Sequence, residues 1–233
     1  VFTKAEENIL NTLKKKYSEN ISKLSETIKK REYERLTIEL SWKSSAMEGN
    51  TYTLMETETL LKDGLPAKGR GSEETQMLIN HKDALKFIME NRNEFKSLNL
   101  KVIEQIHKIL ARDLGITTNL RKTLVGITGV DYKPMDNVYQ ITEAMQNFCD
   151  LINGKKSVFD KSLLALLLIS YIQPFEDGNK RTARLLANAI LVANKSFPLS
   201  FRSVDPTGYK EALVIFYEIN NLYNFKKIYI QQA

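Results

Sequence analysis

The feature that most constrains this chain is an unbroken apolar run, Leu163 to Ile169, stopped a few residues later by Pro174 and resumed as helical periodicity beyond Gly178. The run is far shorter than the roughly 20 apolar residues a membrane span requires, so it fits a helix buried on all sides. Pro174 blocks continuation of that helix, Gly178 permits a tight turn, and a new helix opens at about Asn179. Two apolar helices joined at such a turn must be covered by the rest of the molecule. With 233 residues against roughly 150 per domain, the chain is long enough to do this in one or two domains. A hydrophobic content of 42% with 27% charged residues excludes disordered, collagen-like and coiled-coil-only chains.

The remaining pattern is mainly α. Ile9, Leu13, Tyr17, Ile21, Leu24 and Ile28 recur every three or four residues with charges between them, which predicts an amphipathic helical arm over the first forty residues. A second stretch from about Glu32 carries Tyr33, Leu36, Leu40 and Met47 to a stop at Gly49. Breakers from Asp63 to Gly71 mark a loop, and Ser72 is the expected cap of the next helix, with Glu73 and Glu74 in its first turn. Helical periodicity continues through Leu78, Leu85 and Ile88 and through Ile103, Ile106 and Leu110. From Thr123 to Tyr132 the residues turn β-branched and glycine-rich, which predicts one short hairpin. Helices follow near 138–153, 160–172, 178–195 and 207–222.

Charge and cysteine usage narrow the function. Thirty-four basic against 28 acidic residues give +6, but the charges are mixed along the chain. No basic stripe interleaved with aromatics and no helix-turn-helix pattern argues for a nucleic-acid partner. No apolar stretch argues for a membrane, and the N-terminus has no charged and apolar leader, which points to a cytoplasmic protein. Cys149 is the single cysteine and reads as a small core residue. His81 and His107 lie apart on helices and form no metal site.

The chemistry concentrates in Gln173-Pro174-Phe175-Glu176-Asp177-Gly178-Asn179-Lys180-Arg181-Thr182-Ala183-Arg184. The turn aims backbone N–H groups and the positive end of a helix at one spot, a ready anion site. Lys180, Arg181 and Arg184 add cations where the helix dipole disfavours them, a cost that a bound phosphate chain would offset. Asp177 beside them suits Mg²⁺, which is commonly held by one or two carboxylates together with phosphates. On spacing alone, a solvated cap with its arginines paired to surface carboxylates fits as well.

This stretch resembles the signature of the Fic family, His-x-Phe-x-Asp/Glu-Gly-Asn-x-Arg-x-x-Arg, with Phe175, Asp177, Gly178, Asn179, Arg181 and Arg184 in register. Ser44-Ser45-Ala46-Met47-Glu48-Gly49 resembles the family's inhibitory Ser/Thr-x-x-x-Glu-Gly/Asn motif, and Leu124 to Pro134 resembles its β-hairpin flap. The resemblance implies a helical Fic-type domain at 61–225 behind an N-terminal helical region at 1–60. It implies transfer of AMP from ATP to a Ser, Thr or Tyr hydroxyl of a target protein, and a homodimer. Residue by residue, it implies that Asp177 holds Mg²⁺, that Gly178, Asn179 and Arg181 cradle the α- and β-phosphates, and that Arg184 meets either the γ-phosphate or the inhibitory Glu48. It gives the flap residues Leu124, Val125, Gly126, Ile127, Thr128 and Gly129 a target-docking role. Tyr209, with Phe216 and Tyr217 at helical spacing, would line an adenine pocket.

Two positions depart from the pattern. Gln173 stands where the family has its general-base histidine, and an amide has no basic site near neutrality; losing such a base removes a factor of about 10² to 10⁴. An engineered inactive form, a natural pseudoenzyme and substrate-assisted deprotonation all fit that replacement. Lys180 occupies a position that is glycine in most adenylylating members and lysine in the related Doc toxins, which phosphorylate their targets. The expectation is therefore AMP transfer first, with a nucleotide-binding pseudoenzyme or a Doc-like phosphotransferase using Lys180 as alternatives.

Overall fold

A computed structural model describes residues 1–233. Ten α-helices follow in order: α1 Lys4–Ser22, α2 Glu26–Ala46, α3 Leu54–Asp63, α4 Ser72–Glu90, α5 Leu100–Ala111, α6 Val138–Gly154, α7 Val158–Ile172, α8 Asn179–Ala193, α9 Pro206–Ile219 and α10 Tyr223–Gln232, with a short 3-10 turn at Arg92–Lys96. No helix is long and apolar enough to cross a membrane.

The apolar run behaves as its sequence requires. Leu163, Ala165, Leu166, Leu167 and Ile169 of α7 have no exposed surface, and neither do Leu185, Leu186, Ala187 and Ala189 of α8. The two helices pack on each other, and α8 also meets α2, α4 and α5, so it is the axis of the fold. Small residues at Ala183, Ala187 and Ala189 let neighbours approach while the leucines fill the gaps. The same core runs from Phe2 and Leu10 of the N-terminus to Phe225 and Tyr229 of α10. Lys226 closes that contact on Glu6 at 2.8 Å, and the Phe2 and Tyr229 rings lie 5.5 Å apart. Cys149 is buried as a core residue.

Local chemistry places the helix ends. Thr3 with Glu6 and Thr53 with Glu56 form reciprocal capping boxes at α1 and α3. The expected continuous arm breaks at residues 23–25, because the Ser25 hydroxyl caps α2 by accepting from the Ile28 N–H. Ser72 proves to be the first residue of α4 and not its cap; Glu74 instead reaches back to the Gly71 N–H at 3.0 Å. Helices α3 and α10 extend the expected set.

The hairpin expected at 123–132 is absent, and the chain has no β-strand. Residues 112–137 form a long strap between α5 and α6 with no cross-strand backbone pairing. Four of its backbone groups are taken by side chains: Arg121 donates to the Thr123 and Met135 carbonyls, and the Asp131 and Tyr132 N–H groups donate to Glu218. β-branched residues favour an extended backbone but need a partner strand to make a ladder. Val125 and Ile127 are half-buried while Leu124, Gly126 and Thr128 are exposed, so the alternation survives without the sheet.

The burial of α8 sets a stability expectation. Leu186→Ala should cost about 2–5 kcal/mol, the range for truncating a fully enclosed leucine, read by urea denaturation; a change below about 1 kcal/mol would show that α8 is not the axis of the core.

Candidate functional site

α7 ends at Ile172 and Gln173 turns into the left-handed region, φ 51° and ψ 57°. Gly178 does the same at φ 77°, and α8 begins immediately after it. A side chain at 178 would be conformationally strained, and its Cβ would lie 3.5 Å from both Arg181 and the His107 ring. Between these two corners Asn179 folds back over the turn. Its carboxamide oxygen accepts from the Phe175 N–H at 2.9 Å, and its amide nitrogen donates to the Phe175 carbonyl at 2.8 Å and to the Gln173 Oε1 at 2.9 Å. Phe175 is fully buried beneath the turn, stacked on His107 with ring centroids 3.7 Å apart. The Asn179 amide and this ring stack brace the turn from inside.

A pocket of about 340 Å³ opens above it. Gln173, Asp177, Gly178, Asn179, Lys180 and Arg181 form its polar floor, Glu48 closes one side, and Val125, Ile127, Leu213, Val214 and Tyr217 supply apolar walls. The strap borders the pocket with four consecutive residues, Val125 to Thr128, of which Val125 and Ile127 are half-buried.

The floor is rich in buried cationic donors. Arg184 has no exposed surface; its Nε donates to the Ser44 hydroxyl at 2.8 Å and NH2 donates to the Ser44 carbonyl at 2.8 Å and to Glu48 Oε1 at 2.9 Å. Lys180 Nζ lies 3.5 Å from Glu48 Oε2, so this carboxylate answers two cations. Burial alone would push the Glu48 carboxyl up, but Arg184 and Lys180 together hold it below the ordinary carboxylate value. Arg181 is 2% exposed and bonds Asp177 at 3.0 Å. Burial lowers its pKa from the usual arginine value, and Asp177 and Glu48 oppose that shift. Nε and NH1 of Arg181 and NH1 of Arg184 are buried without any partner. Arg184 also meets the Tyr209 hydroxyl behind the pocket, whereas Arg181 lines the pocket; buried donors are almost always satisfied, so the free donors of Arg181 suit an additional acceptor.

A matching family adds to this geometry. A family model described as the Fic/DOC family matches residues 97–191, the span from α5 through α8 that holds the turn and the strap. The chain belongs to the Fic/DOC family. It is 31% identical over 181 residues to the protein adenylyltransferase Fic of Nematostella vectensis, a match covering 73% of this chain and 41% of that protein. It is 27% identical over 162 residues to protein adenylyltransferase fic-1 of Caenorhabditis elegans, 66% of this chain and 31% of that protein. The chain thus spans well under half the length of these relatives. Among solved structures it superposes on residues 134–508 of C. elegans Fic-1 with a TM-score of 0.80 at 21% identity, covering 98% of this chain and 68% of that one. It also superposes on a Fic domain-containing signaling protein of Bacteroides thetaiotaomicron with a TM-score of 0.79 at 22% identity, covering 96% and 92%.

In this Fic/DOC chain most of the expected site residues meet in one place. Gly178, Asn179, Lys180, Arg181, Asp177, Gln173 and Glu48 all border the pocket, as do Val125, Gly126, Ile127 and Thr128 of the strap. Arg184 lies just beneath them on Glu48. Leu124 points away with 75% of its surface exposed, and Gly129 is not part of the wall. Tyr209 is buried behind the pocket, edge-on to Phe201 and Phe225 and beside Arg184; Tyr217 occupies the wall instead. Asp177 and Glu176 are the carboxylates available on the turn for Mg²⁺, and no cluster of three or more acidic, His or Cys ligands exists. One or two carboxylates completed by phosphate oxygens suit Mg²⁺.

Sequence reasoning missed His107 and Arg121. The first lies under the turn; the Nε2–H that bonds the Thr117 carbonyl at 3.2 Å leaves a buried, unpartnered Nδ1. The sequence places it only on a helix, as a surface or packed residue far from the motif. Arg121 carried no signal beyond a basic residue ahead of a β-branched stretch.

Both histidines are held neutral by burial, His107 pushed down to about 4 and His81 to about 3 from an ordinary 6.5. The unfolded chain therefore binds protons below pH 6.5 that the folded chain refuses, so stability is complete above 6.5 and falls as the pH drops toward 4. Glu48, depressed below 4.5, adds a further loss on the acid side of that value. Urea denaturation from pH 8 to 4 should show this decline, and His107→Phe should make it shallower; an unchanged slope would show that the ring titrates normally.

Proposed function

We propose that this chain is the catalytic and self-restraining part of a protein adenylyltransferase that moves AMP from ATP to a hydroxyl of a target protein, in a form impaired by Gln173. The observation that carries the reading is the set of unpartnered buried Arg181 donors beneath a pocket floored by Gly178, Asn179 and Arg181. A triphosphate supplies the acceptors these donors lack. Asp177, with phosphate oxygens, would hold Mg²⁺, which would neutralise charge on the phosphates. The apolar walls Leu213, Val214 and Tyr217 fit a base, and the half-buried strap face at Val125 and Ile127 closes over it. The strap's backbone from Leu124 to Val130 makes no backbone hydrogen bonds, which supports a role in registering an extended target segment by main-chain pairing.

In this reading the target oxygen attacks the α-phosphorus, pyrophosphate departs with the bond pair, and the hydroxyl proton must be accepted nearby. Gln173 cannot accept it. Its Nε2 donates to the Ser170 carbonyl at 2.5 Å and its Oε1 accepts from Asn179 at 2.9 Å, so the amide is spent on holding the turn. Glu48 restrains the site by occupying Arg184, because a γ-phosphate and a carboxylate compete for the same guanidinium. Misplacement of reacting groups by about 1 Å costs on the order of 10²-fold in rate. A cytoplasmic setting and a second copy of the chain belong to the same proposal.

The full engagement of the Gln173 amide favours one second reading, a nucleotide-responsive pseudoenzyme in which ATP draws Arg184 away from Glu48. A phosphotransferase based on Lys180 is the third. Intact mass of the Gln173→His, Glu48→Gly protein after incubation with ATP and Mg²⁺ separates them. Gain of AMP is the expected result, and gain of phosphate would shift the assignment to Lys180. Saturable ATP binding without any gain would favour the pseudoenzyme. In parallel, Arg181→Ala should weaken ATP binding of the Glu48→Gly protein about tenfold or more, the order of a charge-assisted bond; absence of saturable binding before that substitution would overturn all three.

A further inference from the structure

Arg121 is 1% exposed, and all of its side-chain hydrogen bonds go to backbone carbonyls. Nε donates to the Gln173 carbonyl at 2.6 Å, NH1 to Thr123 at 2.9 Å and NH2 to Met135 at 2.5 Å. The Arg121 N–H adds a bond to the Pro174 carbonyl at 3.0 Å. One residue thus ties together the two ends of the 123–135 segment of the strap and the first two peptide groups of the pocket turn. An ion buried without a carboxylate is costly unless the surrounding dipoles are fixed, and its planar, multi-donor guanidinium can hold diverging carbonyls that a lysine cannot span.

The backbone enclosed by this clamp is otherwise loosely tied. Between Thr123 and Met135 no residue makes a backbone–backbone hydrogen bond. The other polar anchors are Glu218 on the Asp131 and Tyr132 N–H groups, the Tyr132 hydroxyl on the Tyr171 carbonyl at 2.9 Å and the Thr123 hydroxyl on Glu176 at 3.5 Å, and the Tyr132 ring stacks on Tyr171 with centroids 4.2 Å apart. At the other end of the clamp, Gln173 is a non-glycine residue held in the left-handed region, a conformation costing about 1–2 kcal/mol that persists only where surroundings fix it.

We propose that Arg121 is a positioning residue that locks the strap and the Gln173–Pro174 corner into one unit, so that the pocket's cover and floor cannot shift independently. The clamp itself stands on the geometry alone; its effect on ATP rests on the proposed function. Without Arg121 the strap base opens at Thr123 and Met135, and the Gln173 carbonyl loses the donor that fixes its peptide plane.

Amide hydrogen exchange in Arg121→Ala and Arg121→Lys tests this, with Asp131 and Tyr132 reporting the strap and Phe175 reporting the turn. Both variants should exchange about tenfold or more faster at all three amides, while the α7 interior from Leu163 to Leu167 keeps its protection. In the parent protein ATP with Mg²⁺ should slow exchange at the turn and strap together; in Arg121→Lys it should slow exchange at Phe175 only. The proposal is overturned if Arg121→Lys exchanges like the parent at either segment. Loss of α7 protection in both variants would equally overturn it, since Arg121 would then be a support of the whole core. A parent protein that binds no ATP would sink the nucleotide reading, while the ligand-free exchange comparison would still decide the clamp.

Discussion

A fully buried guanidinium at the head of the central helix dictates much of the surrounding structure. Arg184 has no exposed surface, and leaving such a charge without acceptors costs several kcal/mol. Its neighbours are arranged accordingly: the end of α2 brings the Ser44 hydroxyl, the Ser44 carbonyl and the Glu48 carboxylate onto it from 140 and 136 residues away in sequence. The α2 helix is therefore held to α8 by a polar contact in addition to its apolar packing. The same contact makes Glu48 a ligand for the site's own cations. Fold stability and occupancy of the pocket edge are consequently linked through one ion pair, and any anion that takes Arg184 must replace what Glu48 contributes.

The turn between α7 and α8 was legible from sequence because its constraints are local. Pro174 cannot continue a helix, Gly178 supplies a positive φ without strain, and clustered cations at a helix N-terminus require negative partners. The strap was misread for the opposite reason. β-branched residues and glycines encode an extended backbone, yet whether that backbone finds a partner strand is decided by tertiary contacts. Here a guanidinium from Arg121 and a carboxylate from Glu218 take four backbone groups at Thr123, Asp131, Tyr132 and Met135, and no partner strand approaches the rest. Glu218 is 86 residues beyond Tyr132, a separation that no local pattern reveals.

The same distinction separates the residues found from those missed. Glu48 was accessible because a motif, not its environment, pointed to it. His107 is an unremarkable helical residue until the fold stacks it on Phe175 and places its ring 3.5 Å from where a Gly178 Cβ would stand. Tyr209 shows the reverse error: helical spacing put an aromatic on the right helix, but the helix faces the pocket with Leu213, Val214 and Tyr217 while Tyr209 points into the core. Periodicity fixes which residues share a face; it does not say which neighbour that face meets.

Gln173 separates two tasks that a histidine at this position would combine. The turn needs a residue that accepts a left-handed backbone and offers a hydrogen-bond acceptor to Asn179, and the glutamine amide satisfies both. Proton transfer needs an additional basic lone pair, which the amide lacks. Asn179 and Phe175 fix the rest of the turn without using any chemistry of residue 173 beyond that acceptor. The anion-facing geometry is therefore independent of catalytic competence. Under the proposed function, a chain built this way would keep its means of holding a nucleotide whether or not it could transfer any part of it, so binding and transfer have to be measured as separate properties of the site.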